Sequence, residues 1–125
     1  MKGSPREEAF RFLYEAEQRS DAPASNLRGR AARIVDGVTT NRTALDEAIS
    51  EASDNWRVER MAPVDRTIIR IGLYELRHQP DTPLGVVLNE AVELAKRYST
   101  EQSGVFVNGV LAALAREERP DEAQQ

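Results

Sequence analysis

The sequence contains no cysteine and only one histidine among its 125 residues. The absence of cysteine excludes disulfides, thiolate nucleophiles, zinc knuckles and iron–sulfur clusters. The single histidine, His78, cannot by itself build a histidine-rich metal site, and any Ser-His-Asp arrangement would have to use it. We therefore expect no metal, no other cofactor and no catalytic residue.

Long apolar runs are also missing from the sequence. No segment approaches the roughly 18 apolar residues of a membrane-spanning helix, and the first residues lack the apolar core of a signal peptide. We therefore expect a cytoplasmic protein that does not contact a membrane. A composition of 40% hydrophobic and 30% charged residues suits one compact domain.

Positive charge is in overall deficit, with 17 Lys and Arg residues against 21 Asp and Glu residues and a net charge of −4. A nucleic-acid-binding protein needs a basic footprint, because phosphate contacts draw affinity from released counterions. Such a footprint would have to be local here. One stretch does concentrate four arginines against a single acid, Asp36, and these are Arg28, Arg30, Arg33 and Arg42. Four arginines on two helices are also ordinary for a solvated surface.

Apolar residues recur at spacings of three and four in nearly every segment, and no run alternates with period two, so the sequence predicts an all-α fold. Six helices are predicted, with starts near residues 5, 27, 41, 63, 83 and 101. The fourth is apolar almost all round, which is typical of a central helix packed on several sides. Residues 1–118 are expected to form one helical domain, and residues 119–125 a flexible charged tail.

Two helix starts carry capping patterns, and one glycine lies inside a helical stripe. Thr82 precedes Pro83, a favoured first helical residue, and Ser99 and Thr100 with Gln102 resemble a capping box. Asn108 and Gly109 could mark a hairpin, but both flanks continue a helical stripe. We therefore interpret Gly109 as a position of close helix packing.

Two long blocks of the sequence carry a family pattern: NWRVERMAPVDRTIIRIGLYEL, around Trp56, and VVLNEAVELAKRYSTEQSGVFVNGVLAAL, from Val86. They resemble the NusB family of bacterial transcription antitermination factors. FLYEAE at Phe12 and IVDGV at Ile34 extend the likeness over most of the chain. The resemblance implies an all-helical fold of two packed helical bundles and a role that is not enzymatic.

The resemblance further implies a function in RNA and protein binding. Family members bind the boxA element of RNA together with the ribosomal protein NusE, and so act indirectly on the RNA polymerase elongation complex. Their RNA contacts come from the N-terminus and from the start of the last helix. The matching positions here are Lys2, Arg6, Gln102 and Phe106. Phe106 also fits core packing, and Gln102 also fits a helix cap.

The N-terminus departs from the family pattern. Family members carry several arginines before the first helix, whereas this chain begins MKGSPREEAF and has only Lys2 and Arg6 there. Fewer phosphate contacts would weaken RNA binding and reduce its salt dependence. Either the RNA affinity is low without the partner, or the phosphate contacts have moved to Arg28, Arg30 and Arg33.

The family surface for NusE maps onto one aromatic and two acidic residues, Tyr14, Glu59 and Asp65. Their carboxylates could meet basic groups of a ribosomal protein. Two of the three also fit purely structural roles. Tyr14 could pack in the core, and Asp65 could complement the dipole in the first turn of its helix.

Two other interpretations remain beside an RNA-binding antitermination factor. The chain could be a protein-only helical adaptor that binds NusE with little RNA affinity. Some ribosomal RNA methyltransferases carry a NusB-like domain, but this sequence has no glycine-rich cofactor loop, and we do not expect an enzyme. The resemblance leaves a homodimer open.

Overall fold

The computed structural model describes residues 3–19, 26–52 and 57–124, and these residues contain helices and no strand. The all-α prediction is confirmed, and all six predicted helices are present. The helices are α1 (Pro5–Gln18), α2 (Gly29–Thr40), α3 (Arg42–Ala52), a 3₁₀ turn (Val58–Arg60), α4 (Pro63–His78), α5 (Leu84–Tyr98), α6 (Glu101–Glu118) and α7 (Pro120–Ala123).

Helix α4 is the centre of the molecule, as its apolar pattern predicts. Every residue from Thr67 to Leu76 is buried, and α1, α2, α3, α5 and α6 all pack against this helix. Helices α4, α5 and α6 form one closely packed group, α1 and α2 pack against each other and against α4, and α3 packs against α4 and α6. The side chains of Phe10, Leu45, Ile69, Leu73 and Leu111 lie in the shared core.

Local sequence explains several helix ends. Ser4 caps α1 by accepting a hydrogen bond from the Glu7 amide at 3.1 Å. Thr100 caps α6 by accepting one from the Ser103 amide at 3.0 Å, as predicted. The prediction that Thr82 caps α5 is wrong, because α5 begins at Leu84 without a capping side chain from its own flank. Its first amide instead donates to a carboxylate from the end of the chain.

The segment after residue 118 differs from the flexible tail expected from its charge. It forms the short helix α7, and the Arg119 side chain is only 8% exposed. Arg119 bonds to backbone carbonyls at the end of α4, including that of Leu76 at 3.1 Å. These contacts arise because the last carbonyls of a helix lack intrahelical partners and attract cationic donors.

Close helix packing depends on glycines other than Gly109. A Cβ atom on Gly37 of α2 would overlap the ring of Tyr74 on α4, and one on Gly104 would lie 3.3 Å from the Lys96 side chain. Apart from its chain neighbours and the backbone of its own helix, no described residue places a heavy atom within 4 Å of a Cβ built on Gly109. The interpretation of Gly109 as a packing position is therefore wrong, because this residue faces away from the neighbouring helices.

Candidate nucleic-acid and partner interface

The first turns of α1 and α2 meet at a buried carboxylate on α4. Arg6 donates from Nε to Glu75 Oε1 at 2.6 Å and from Nη2 to Glu75 Oε2 at 2.7 Å. Arg30 donates from Nη2 to the same Oε2 at 3.4 Å. The structure thus brings two of the predicted RNA-binding arginines together on one residue.

Sequence reasoning missed Glu75, although a pattern in the sequence marks it. Glu75 lies between apolar residues of a helix that is buried all round, and its exposure is 0%. A charged group in such surroundings requires a charged or hydrogen-bonding partner, because an unpaired buried charge is very costly. The partner, Arg6, lies 69 residues away in the sequence.

Arg6 is buried in the structure, which the sequence does not indicate. The residue is 7% exposed, and two of its guanidinium nitrogens are bound to Glu75. The hydrogen bond and charge of Glu75 raise the pKa of Arg6 above its ordinary value. A contact from Arg6 to RNA stays a prediction, and Lys2, predicted alongside it, lies outside the described residues.

Arg28 and Arg33 have the opposite character. Both side chains are exposed, and neither forms an ion pair with any residue that the structure describes. Gly29 between Arg28 and Arg30 has φ +59°, a left-handed conformation that favours glycine. We call Arg28, Arg30 and Arg33 the basic surface; it lies at the beginning of α2, where no side chain caps the helix.

Glu7, in the first turn of α1, forms hydrogen bonds with residues at the end of α5. Its negative charge is therefore already paired and does not simply offset the basic surface. It accepts hydrogen bonds from Tyr98 Oη at 2.6 Å and from Arg97 Nη1 at 2.8 Å. The hydrogen bond from the Tyr98 hydroxyl is the main cause that holds the pKa of Glu7 below its usual value, and the Arg97 guanidinium adds to this effect. These bonds join the start of α1 to the turn that precedes α6.

The two predicted RNA contacts on α6 differ in exposure. Gln102 is exposed in the first turn, and the capping hydroxyl there belongs to Thr100. Phe106 is half-buried and packs against the hydrophobic core, as its structural alternative predicts. Both residues lie on the helix that begins directly beyond the contact between Glu7 and Tyr98.

The three predicted partner residues lie in different environments. Tyr14 is half-buried and stacks on Phe10 with a ring-centroid distance of 5.8 Å. Glu59 is exposed in the 3₁₀ turn, 3.9 Å from Arg57. Asp65 is only 8% exposed in the first turn of α4.

Asp65 has an unusual electrostatic environment for a carboxylate. Its Oδ1 is buried and has no hydrogen-bond partner among the residues that the structure describes. Burial raises the pKa of this carboxyl, and a hydrogen bond with Ser103 on α6 opposes that shift. The sequence places Asp65 in the first turn of α4 but does not predict that it is buried. Its burial follows from the packing of α6 against α4.

Two other kinds of site are absent from the described parts of the chain. No helix there combines the length and apolar character needed to cross a membrane. No group of three or more His, Cys, Asp or Glu side chains in these parts could hold a metal ion.

Comparison with known proteins gives a consistent result for sequence and structure. Residues 2–116 match the model of the NusB family. The chain is 42% identical over 124 residues to the transcription antitermination protein NusB of Arthrobacter sp. (strain FB24), an alignment that covers 90% of this chain and 91% of that protein.

Two solved structures are also similar to this fold. T. maritima NusB has a TM-score of 0.82 and 34% sequence identity, with 99% of each chain covered. A chain in a crystal structure of the antitermination factors NusB and NusE with dsRNA has a TM-score of 0.79 and 28% identity, covering 90% of this chain and 94% of that chain. Because the family match spans nearly the whole chain and the fold agrees with it, the protein belongs to the NusB family.

Proposed function

We propose that this protein is a cytoplasmic transcription antitermination factor that binds boxA-type RNA together with NusE. The observation that carries this proposal is the basic surface, whose exposed guanidinium groups stand out on a protein with a net charge of −4. The similarity to a NusB chain solved with NusE and dsRNA supports the same function. The protein acts on the RNA polymerase elongation complex indirectly, by holding RNA and partner together.

The RNA backbone would bind at the beginning of α2. Arg28 and Arg33 offer charge-assisted hydrogen bonds to phosphate oxygens without first leaving a protein carboxylate. Arg30 keeps donors available, since its side chain is 39% exposed and makes one long contact with Glu75. The uncapped amides and the dipole of α2 add favourable electrostatics for an anion.

Base contacts would come from the start of α6. Gln102 carries an exposed amide that could hydrogen-bond to a base edge, and Phe106 carries an aromatic ring near the surface. Proteins recognise single-stranded RNA largely through such base-edge bonds and aromatic stacking. The charged groups of α2 would therefore supply affinity, and Gln102 and Phe106 of α6 would supply sequence preference.

The NusE surface would include Tyr14, Glu59 and Asp65. Glu59 is exposed and can attract a basic partner during encounter. The unsatisfied oxygen of Asp65 costs stability in the free protein, since a buried acceptor without a donor loses its hydration. Because this oxygen has no exposed surface, a NusE donor would reach it only where binding opens the start of α4.

A titration of labelled boxA RNA, alone and with NusE, tests this proposal. We expect affinity that falls between about 50 mM and about 200 mM salt and that increases when NusE is present. Arg28→Gln/Arg33→Gln should weaken RNA binding about tenfold or more, because two phosphate contacts are lost. The control, Arg19→Gln/Arg116→Gln, removes the same charge from exposed arginines elsewhere and should bind as the wild type does.

A second candidate function is a protein-only adaptor that binds NusE with little RNA affinity. The burial of Arg6 favours it, because this arginine is bound to Glu75 and adds little free charge to the surface. A normal NusE complex without RNA binding at either salt concentration would establish the adaptor and overturn the RNA-binding proposal.

A further inference from the structure

One side chain from the end of the protein closes the C-terminus of the central helix. Arg119 donates from Nε to the carbonyl of Leu76 at 3.1 Å, and from Nη2 to those of Glu75 at 3.1 Å and Gln79 at 2.9 Å. Its Nη1 donates to the carbonyl of Thr82 at 2.6 Å. One buried guanidinium thus satisfies carbonyls along the whole turn between α4 and α5.

The next turn of the same segment caps the beginning of α5. Glu122 Oε2 accepts a hydrogen bond from the amide of Leu84 at 2.7 Å, and Oε1 accepts one from Arg119 at 3.2 Å. The backbone bond is the main reason that the pKa of Glu122 lies below its usual value. Residues 119–123, which we call the strap, therefore bind both helix ends that flank the α4–α5 turn.

The strap also reaches the basic surface through a single residue. The main-chain carbonyl of Glu75 accepts from Arg119, and its side-chain carboxylate accepts from Arg6 and Arg30. Helix ends are the first parts of a helix to open when their carbonyls lose partners. Opening of the last turn of α4 would therefore displace the carboxylate that holds the beginnings of α1 and α2.

We propose that Arg119 is a positioning residue for the basic surface, acting through Glu75 on the first turns of α1 and α2. The expected effect on RNA affinity rests on the proposed RNA-binding function, whereas the expected effect on the opening of α1 and α2 does not. The strap acts through the end of α4 and does not need to contact RNA. It fixes the end of α4, and α4 in turn fixes Arg6 and Arg30.

The test compares Arg119→Met with Arg116→Met. Both variants remove one positive charge near the end of α6, but the Arg116 side chain is exposed and makes no ion pair with a described residue. Hydrogen exchange is measured in the full chain, and RNA binding is measured with NusE. For Arg119→Met we expect roughly tenfold faster exchange in the first two turns of α1 and α2, because their anchor opens more often. RNA affinity should fall several-fold, with NusE affinity unchanged.

Other results of the same measurements would contradict the positioning role of Arg119. The positioning role would be overturned if Arg119→Met showed faster exchange only in the α4–α5 turn. It would also be overturned if the wild type binds RNA and Arg119→Met binds it with the same affinity. If the wild type binds no RNA, the proposed function fails, and exchange in α1 and α2 alone decides the inference. If Arg119→Met does not fold, Glu122→Gln provides a milder variant, which should show the same exchange pattern at smaller amplitude.

Discussion

Arg6 and Arg33 carry the same charge, and the structure separates their roles. Arg6 is buried and bound to Glu75 through two hydrogen bonds, whereas Arg33 is exposed and has no ion pair within the described residues. A buried charge stabilises only with its partner present, while an exposed charge remains available to a ligand. The first arginine therefore belongs to the fold, and the second to the candidate RNA surface.

Removing the Arg6 side chain should destabilise the protein strongly. We expect Arg6→Met to lower the free energy of unfolding by about 3 to 5 kcal/mol, because the Glu75 carboxylate loses its main buried partner. Urea unfolding measures the change. Arg6→Met/Glu75→Leu should recover most of the loss, and Arg11→Met, on the exposed face of α1, serves as the control. Equal stability of Arg6→Met and the wild type would contradict this account.

Glu7 should make stability depend on pH. Its folded pKa lies below its unfolded value, so its contribution is present at neutral pH and is lost as pH falls through the folded pKa. Glu7→Gln should lower the free energy of unfolding by about 1 to 2 kcal/mol near neutral pH, with the difference shrinking as pH falls below 4.5, the ordinary glutamate pKa. Urea unfolding across this range tests it against Glu8→Gln, and a constant difference would refute it.

Asp65 should show the opposite sign. Its folded pKa is raised by burial, so ionisation costs stability as pH rises through that value, and the cost is absent at low pH. Asp65→Asn should therefore increase the free energy of unfolding at neutral pH by about 1 kcal/mol, while weakening NusE binding. Thermal unfolding and a NusE titration test both parts, with the exposed Asp81→Asn as control. A destabilised Asp65→Asn protein would show that the ionised carboxylate supports the fold.

The ends of several helices are capped, and their faces are packed, by residues that lie far away in the sequence. The first amide of α5 bonds to Glu122, 38 residues later. Helix α2 approaches α4 closely enough that the ring of Tyr74 occupies the space of a Cβ atom on Gly37. Helix pattern therefore determines where each element forms, and remote side chains determine how its ends and faces are completed.

Two glycine substitutions should have opposite effects on stability. Gly37→Ala should lower the free energy of unfolding by about 1 to 3 kcal/mol, since the rigid ring of Tyr74 must move. Gly109→Ala should raise it by about 0.5 to 1 kcal/mol, because alanine favours a helix interior and the position is open. Thermal unfolding of the two variants measures both changes, and a neutral Gly37→Ala would show that α2 can shift away from α4.

The molecule as a whole is acidic, so binding to RNA depends on where its positive charge lies. The acid Glu7 is paired with Arg97, and Glu75 is paired with Arg6, which leaves the exposed arginines of α2 as a local positive region. Local charge of this kind supports binding at one face while the net charge limits binding elsewhere.

The salt dependence of RNA binding should report this local charge. Arg28→Gln/Arg33→Gln should make the slope of log affinity against log salt less steep by about 1.4, at about 0.7 for each phosphate contact with a single strand. Titrations of the NusE complex at four or more salt concentrations would measure the slope. An unchanged slope would place the phosphate contacts on other residues.

Much of the fold was predictable because helical pattern is a local property. The Pro63 start and all-round apolar character of α4 indicate a central helix, and α4 is one. The cluster of arginines on α2 was also visible as a run of charge. Glu75 and Arg119 were not assigned roles, because each acts on residues that are distant in sequence and adjacent only in the folded chain.

The sequence by itself determined the helices, the family likeness and the set of charged residues from which a binding surface can be made. Only the tertiary structure decided which of these charges are buried, as for Arg6, and which are exposed, as for Arg33. It also decided that the last residues close the α4–α5 turn. The physical reason is that helix formation depends on neighbours in the chain, whereas burial and ion pairing depend on neighbours in space.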